Sequence, residues 1–340
     1  MAPARKDGPA DGEALYSLPM RIGIDVGGTK IEGVALGDDG AERARHRVAT
    51  PAAYEALLAA VRELVARLEA EAGGTGTVGV GTPGFLQPGR GVIRNSNLQS
   101  LNDKPLDRDL ATALGRPVRL DNDASCFVLS EAVDGAAAPS LAVGAAAPST
   151  AVGAGRFAEG VRRPDVVFGA TLGTGVGGGI AIDGRVHSGA NGAAAEWSHT
   201  TLPFLRAGER SPYTCFCGHE ACIESFTSGR GLAGAYREVT GRELGAPEVG
   251  AKAAAGDADA ARAFDLYEDR LARALAGVVN LLDPRAIVLG GGVSNNARIF
   301  TNLEPLMERY TVAKDLQTQI VRAAHGDASG VRGAAWLWPG

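Results

Sequence analysis

The run R-I-G-I-D-V-G-G-T-K-I-E-G-V-A-L over residues 21–36 constrains this chain more than any other stretch. Two apolar alternations flank the loop Asp25-Val26-Gly27-Gly28-Thr29-Lys30, which predicts two paired strands with a polar mouth. Gly27 and Gly28 admit positive φ, so the loop is expected to turn tightly and aim successive N–H groups outward, making an anion-sized concavity. Thr29 adds a hydroxyl there and Lys30 a cation. Asp25 faces the same mouth, and a carboxylate beside a phosphate calls for a cation such as Mg²⁺ between them. A ligand-free Gly-Gly hairpin turn would use the same six residues, so the loop does not decide by itself.

The order of elements after this loop is more decisive. A third strand is predicted at 44–49, then a helix after Pro51 with Tyr54, Leu57, Leu58, Val61, Leu64, Val65 and Leu68 along one face, and a strand at 78–81. This β-β-β-α-β order gives a mixed sheet with a helix across it, half of a two-domain nucleotide-binding fold rather than a Rossmann unit. Further on come a helix at 107–114, a strand at 118–120 and a helix at 123–133. Strands at 166–171 and 178–182 then flank a second glycine loop, Gly173-Thr174-Gly175-Val176-Gly177-Gly178-Gly179. Helices at 231–240 and 258–282, a strand at 286–289, a helix at 297–310, a strand at 319–322 and a helix at 330–338 complete the chain. Two glycine hairpins at similar places in two α/β halves imply related domains facing each other across a cleft.

The expected division is a mobile tail at 1–20, a small α/β domain at 21–122 plus 318–340, and a large α/β domain at 123–317. Residues 135–155 repeat themselves in Gly, Ala, Pro and Ser and read as a surface insertion whose small side chains cannot offset their ordering entropy by burial. A net charge of -5 without any Lys/Arg run argues against nucleic acid as a partner. No apolar run reaches the ~18 residues of a membrane span and the first twenty residues lack a signal-peptide core, so no membrane and a cytoplasmic location are expected.

Three constellations carry chemistry. The two glycine loops read as phosphate cradles, the second adding the Thr174 hydroxyl; Gly290-Gly291-Gly292, after a buried strand, would let adenosine lie against backbone, or simply start a helix. In Asp121-Asn122-Asp123, Asp123 is the candidate general base for a sugar hydroxyl, while Asp121 or Asp123 would equally serve as a helix cap. Cys215, Cys217 and Cys222 in C-x-C-x4-C, with His199 upstream, fit a closed tetrahedral zinc site that pins a loop carrying Glu196 and Glu224; His219 competes with His199 for the fourth position. The remaining cysteine, Cys126, lies on a helix face and reads as buried.

Together DVGGTK at 25–30, DNDA at 121–124, GTGVGGG at 173–179, EWSH at 196–199, CFCGHEACIE at 215–224 and the glycines at 290–292 resemble the ROK family of bacterial sugar kinases over residues 21–338. GVIRNSN at 91–97, SEAVDGAAA at 130–138 and HGDASGVRGAAWLWP at 325–339 resemble its fructokinase (manno(fructo)kinase) branch most, with N-acetylglucosamine kinase next. The resemblance implies a two-domain actin-like ATPase (ribonuclease H-like) fold, ATP and Mg²⁺, and transfer of the γ-phosphate to a hexose 6-hydroxyl, with D-fructose the expected acceptor and N-acetylglucosamine, glucose or mannose the alternatives. It implies Asp123 as catalytic base, Asn97, Asn122, Glu196, His199 and Glu224 as holders of sugar hydroxyls, and His199 rather than His219 with the three cysteines on a structural Zn²⁺. It also implies a homodimer. Ser198 and Ala221 stand where the family usually has glycine, beside the sugar. A sugar-responsive repressor on the same domain is the rival class; it would need an N-terminal helix-turn-helix, for which the first twenty residues are too short and too rich in Gly and Pro.

Overall fold

A computed structural model describes residues 20–139 and 165–339. The expected tail and most of the 135–155 repeat lie outside the described residues. The first half runs β1 (Met20–Val26), β2 (Lys30–Gly37), β3 (Glu42–Ala49), α1 (Tyr54–Ala72), β4 (Thr77–Thr82), a small hairpin of β5 (Phe85–Gln87) and β6 (Val92–Arg94), α2 (Leu106–Leu114) and β7 (Val118–Asn122). α3 (Asp123–Val133) leads into the second half: β8 (Val166–Leu172), β9 (Val176–Ile182), β10 (Arg185–Val186), α4 (Ile223–Thr227), α5 (Gly229–Thr240), α6 (Ala246–Ala254), α7 (Ala258–Leu282), β11 (Ala286–Gly290), α8 (Arg298–Met307), β12 (Gln319–Arg322) and α9 (Ser329–Ala335).

The two main sheets have one topology. The first is ordered β3-β2-β1-β4-β7 and the second β10-β9-β8-β11-β12. In each, an antiparallel hairpin (β1–β2, β8–β9) adjoins a parallel half (β1–β4–β7, β8–β11–β12). The fold is thus the actin-like two-domain α/β arrangement. β12, in the stretch expected to belong with the first domain, pairs with β11 in the second sheet, with Ile287 opposite Ile320. Only α9 beyond it returns to the first sheet.

Packing explains where the glycines in the strands fall. Ile22, Ile24 and Val26 alternate on β1 into a core with Leu57, Val61, Leu64 and Leu68 of α1. The opposite face of the same sheet carries Gly23 and Gly79, where a Cβ would lie 2.0 Å from the Val331 carbonyl oxygen and 1.8 Å from that of Ala334, so α9 rests on bare backbone. The second sheet repeats the device: a Cβ on Gly179 would lie 2.5 Å from the Ala124 carbonyl oxygen, and one on Gly169 2.7 Å from Cβ of Val128, both in α3. Two helices, each seated on its own sheet, therefore meet between the halves. Glu131 of α3, fully buried, fastens them by accepting from the Ala324 and His325 amides and the Ser329 hydroxyl.

The long α7 starts at Asp257, whose side chain accepts from the Ala260 amide, and ends at Asp283 in the left-handed region ahead of Pro284. Arg270 and Arg273 on its core face are fully buried, and both ion-pair with Glu209, which ties residues 203–211 to the helix. Burial raises the Glu209 pKa, but the Arg273 and Arg270 hydrogen bonds outweigh it and hold the carboxyl at about 2. No helix among the described residues is long and apolar enough to cross a membrane.

Candidate active site

The junction of β7 and α3 sets the site. Asn122 is the N-cap of α3: its Oδ1 accepts from the Ala124 amide at 2.9 Å and its Nδ2 donates to the Gly84 carbonyl at 2.8 Å. The cap expected from Asp121 or Asp123 is thus supplied by the residue between them. Asp121 instead accepts from the Ser188 hydroxyl at 2.7 Å. Asp123 becomes the first helical residue, its Oδ1 also within 2.8 Å of the Ala124 amide, and it lines a cleft of about 720 Å³. Its side chain is open to the cleft, and desolvation by the cleft walls, then the nearby Glu196 carboxylate, raise its pKa above the ordinary carboxylate value. A carboxylate so placed is a stronger base than one free in water.

Asn97, Asn122, Glu196, His199 and Glu224 line the same cleft as Asp123, so every residue expected to hold a sugar hydroxyl converges there. His199 serves two sides. Its Nδ1 lies 3.4 Å from Cys215 Sγ and its Nε2 3.7 Å from Glu196 Oε2. Cys217 and Cys222 Sγ are 3.5 Å apart, and the four donor atoms of His199, Cys215, Cys217 and Cys222 lie within 4.8 Å of one another. Bonds of ~2.3 Å in a tetrahedron put neighbouring sulfurs ~3.8 Å apart, so this donor set fits one closed metal site. All three are free thiols. His219, the competing ligand, is exposed; its Nδ1 lies 3.5 Å from Cys217 Sγ, but it is not one of the four residues whose donor atoms all lie within 4.8 Å of one another.

The phosphate loops differ from expectation in detail. Gly27 and Gly28 have no positive φ, nor has any glycine from 173 to 179. Close approach explains Gly27 instead, since a Cβ there would meet the Lys30 carbonyl oxygen at 2.9 Å; Gly28 faces open space. Thr50 holds the loop, donating its hydroxyl to the Gly27 carbonyl at 2.6 Å and its amide to that of Thr29. Lys30 pairs with Glu32 at 3.3 Å, and residues 25–30 line neither of the two clefts described here. Asp25 nonetheless senses the site: burial, Asp123 and Glu32 raise its pKa, against Lys30, to about 6.

Gly173 and Thr174 line a second, more apolar cleft of about 980 Å³, with Leu232, Pro247 and Val293. Of the third glycine run, Gly292 lines this cleft with open space beside it, and Gly291, at φ 82°, lines the first. Gly290 lines neither: a Cβ there would meet the Phe127 ring at 2.6 Å. Gly175 lies on the first cleft, its Cα against Glu224. Among the other residues that line the first cleft without having been singled out from the sequence, three carry chemistry that bears on the site. Asn95, at φ 56°, lies just ahead of Asn97; the Phe216 ring, 66% exposed, stands edge-on to His199; and Arg230 pairs with Glu224 at 3.3 Å. The only sequence signal for Arg230 is its place just after the Glu224 motif, at a helix start.

Comparison with known proteins identifies the family and its fold. A profile of the ROK family matches residues 21–162 and 157–340. An N-acetyl-D-glucosamine kinase of Pasteurella multocida is 37% identical over 94% of this chain and 99% of its own length. Among solved structures, a ROK hexokinase from Thermus thermophilus superposes with a TM-score of 0.75 at 32% identity, covering 94% of this chain and 97% of that one. A ROK family glucokinase from Streptomyces griseus, solved with glucose and AMPPNP, superposes with a TM-score of 0.66 at 26% identity, covering 94% and 98%. This chain belongs to the ROK family and has the fold of its sugar kinases.

Proposed function

We propose that this protein is an ATP-dependent hexose kinase whose acceptor is the 6-hydroxyl of N-acetyl-D-glucosamine. The observation that carries the reading is the position of Asp123, a carboxylate open to the cleft and of raised pKa, in a cleft walled by Asn97, Asn122, Glu196, His199 and Glu224, with Gly173 shared by the adjoining apolar cleft. The apolar cleft suits a flat adenine ring and the polar one a polyol.

In this reading the amide and carboxylate groups fix the sugar, and Asp123 accepts the hydroxyl proton as the oxygen attacks phosphorus. Asn122 spends one amide hydrogen and one lone pair on backbone and keeps the others for the sugar. Mg²⁺ would lie by Asp25, where it neutralises phosphate charge. Zn²⁺ on His199, Cys215, Cys217 and Cys222 would fix the loop that carries Glu224 and orient the His199 ring toward the sugar. Residues 27–30 would close on the phosphates from the first domain. A homodimer belongs to the same reading, and the mass in solution checks it.

The choice of sugar rests on the curated N-acetyl-D-glucosamine kinases, which match nearly end to end. The fructose expected from residues 91–97, 130–138 and 325–339 has weaker support. The last two segments line neither cleft, so likeness there reports on the helix crossing and not on the sugar. A coupled assay with ATP and Mg²⁺ across N-acetylglucosamine, glucose, mannose and fructose is the test. The highest kcat/KM is expected with N-acetylglucosamine. A tenfold preference for fructose would overturn the sugar assignment, and no turnover of any of the four would overturn the kinase reading.

A further inference from the structure

We propose that Arg230 is a catalytic cation that contacts the phosphoryl group while it is in transfer. The inference rests on the kinase reading. Among the described residues only Gly173 and Arg230 line both clefts, so they mark the boundary between the space for a nucleotide and the space for a sugar. A phosphoryl group passing from one to the other crosses that boundary. Among the described residues that line the two clefts, Arg230 is the sole lysine or arginine. Lys30, the cation the sequence suggests for this work, lines neither and is paired with Glu32.

The guanidinium is held but not used up. Its Cζ lies 3.9 Å from the centroid of the Tyr213 ring, and Tyr213 is itself fixed, its hydroxyl donating to the Glu224 carbonyl at 3.1 Å and paired with Ser228 Oγ at 2.9 Å. Nη2 donates to Glu224 Oε1 at 3.3 Å, and no other acceptor among the described residues takes a hydrogen bond from this side chain. The side chain is 52% exposed, whereas that of Glu224 is 5% exposed. An arginine has five N–H donors in a planar fork, so most of them are left for an anion.

In the step itself a bond forms between the sugar oxygen and the γ-phosphorus, and the bond from that phosphorus to the bridging oxygen of ATP breaks. ADP departs with the electron pair, and the hydroxyl proton passes to Asp123. Negative charge is spread over the transferring group throughout, and a cation fixed beside its path stabilises that state more than either end state.

A counter-ion role for Glu224 alone makes a different prediction, which separates the two by experiment. Arg230→Ala, Arg230→Gln and Arg230→Lys are compared with the wild-type holoenzyme, with melting curves to confirm folding. Removing the guanidinium should lower kcat by about 10²- to 10³-fold while leaving the KM values for ATP and hexose within about threefold. Arg230→Lys should recover part of the loss, and added guanidinium ion should partly rescue Arg230→Ala. Binding of ADP with aluminium fluoride and hexose, a mimic of the transferring state, should weaken far more than binding of ADP with hexose. A raised hexose KM with kcat kept within threefold would overturn the inference and leave the kinase reading standing. Wild-type inactivity on every hexose would remove both.

Discussion

Gly333 of α9 and Cys126 of α3 meet so closely that a Cβ on the glycine would lie 1.6 Å from the Cys126 carbonyl oxygen. Both groups are backbone, so neither can rotate away. Gly333→Ala is therefore expected to force the two helices apart and cost about 3 kcal/mol, read as a lower urea midpoint. Gly28→Ala, with nothing within 4 Å of the added carbon, is the control that should leave the midpoint unchanged.

Asp123→Asn keeps the shape of the cleft and removes the base. The expected result is a fall in kcat of about 10²- to 10⁴-fold with hexose affinity within threefold, measured by steady-state kinetics and by titration calorimetry with sugar alone. Because Asn122 supplies the helix cap, Asp123→Asn should leave thermal stability nearly unchanged; a large drop in melting temperature would show that the carboxylate is mainly structural.

Asp25 should reveal a conflict between stability and turnover. Burial first, then the Asp123 and Glu32 charges, lift its pKa from 3.8 to about 6. The folded state thus binds this proton more readily than the unfolded state, so the contribution to stability is greatest below about pH 4 and is lost as pH rises through about 6. Two pH units correspond to about 3 kcal/mol at most. Asp25→Asn, without Mg²⁺, is expected to gain about 1–3 kcal/mol at pH 7.5 and little at pH 4. Turnover runs the opposite way: the ionised carboxylate is the form that meets a cation, so wild-type kcat should fall below pH 6 and the variant should lose at least about tenfold at neutral pH. Urea melts and pH-rate profiles on the same preparations measure both.

One equivalent of tightly held zinc per chain is the expected result of metal analysis, and less than half an equivalent would discard the Cys3His assignment. Chelation should raise the hexose KM by about tenfold or more and leave the ATP KM nearly unchanged, because His199, one of the four donors, lines the cleft proposed for the sugar and none of the four lines the other cleft.

Residues that are close in sequence were legible in it. Asp25 with its glycines, the helix start at Asp123, and the cysteine spacing each announce local geometry, and the apolar face of α1 predicts its helix. The family likeness then assigns partners that the spacing of residues cannot, such as His199 with cysteines sixteen or more positions away. What stayed hidden depends on tertiary placement. β12 has four residues that would suit either sheet, and its pairing with β11 is fixed by how the chain after α8 returns. α6 is only nine residues long and buries only Val249, so it offers too short an apolar face to mark a helix from the sequence. The glycines of 27–28 and 173–179 look like left-handed turn residues, yet none has positive φ; Gly27 and those at 173–179 supply bare backbone beside a neighbour or a cleft, and Gly28 faces open space. Arg230 carries no motif of its own and becomes conspicuous only when two clefts share it.

The common strand order of the two sheets makes the hairpins β1–β2 and β8–β9 equivalent places in a repeated unit. A molecule that touches both glycine loops is therefore measuring the distance between two bodies, and each body alone offers it half a grip. A methyl group added where α3 crosses α9 would therefore change the span between the two loops without touching either.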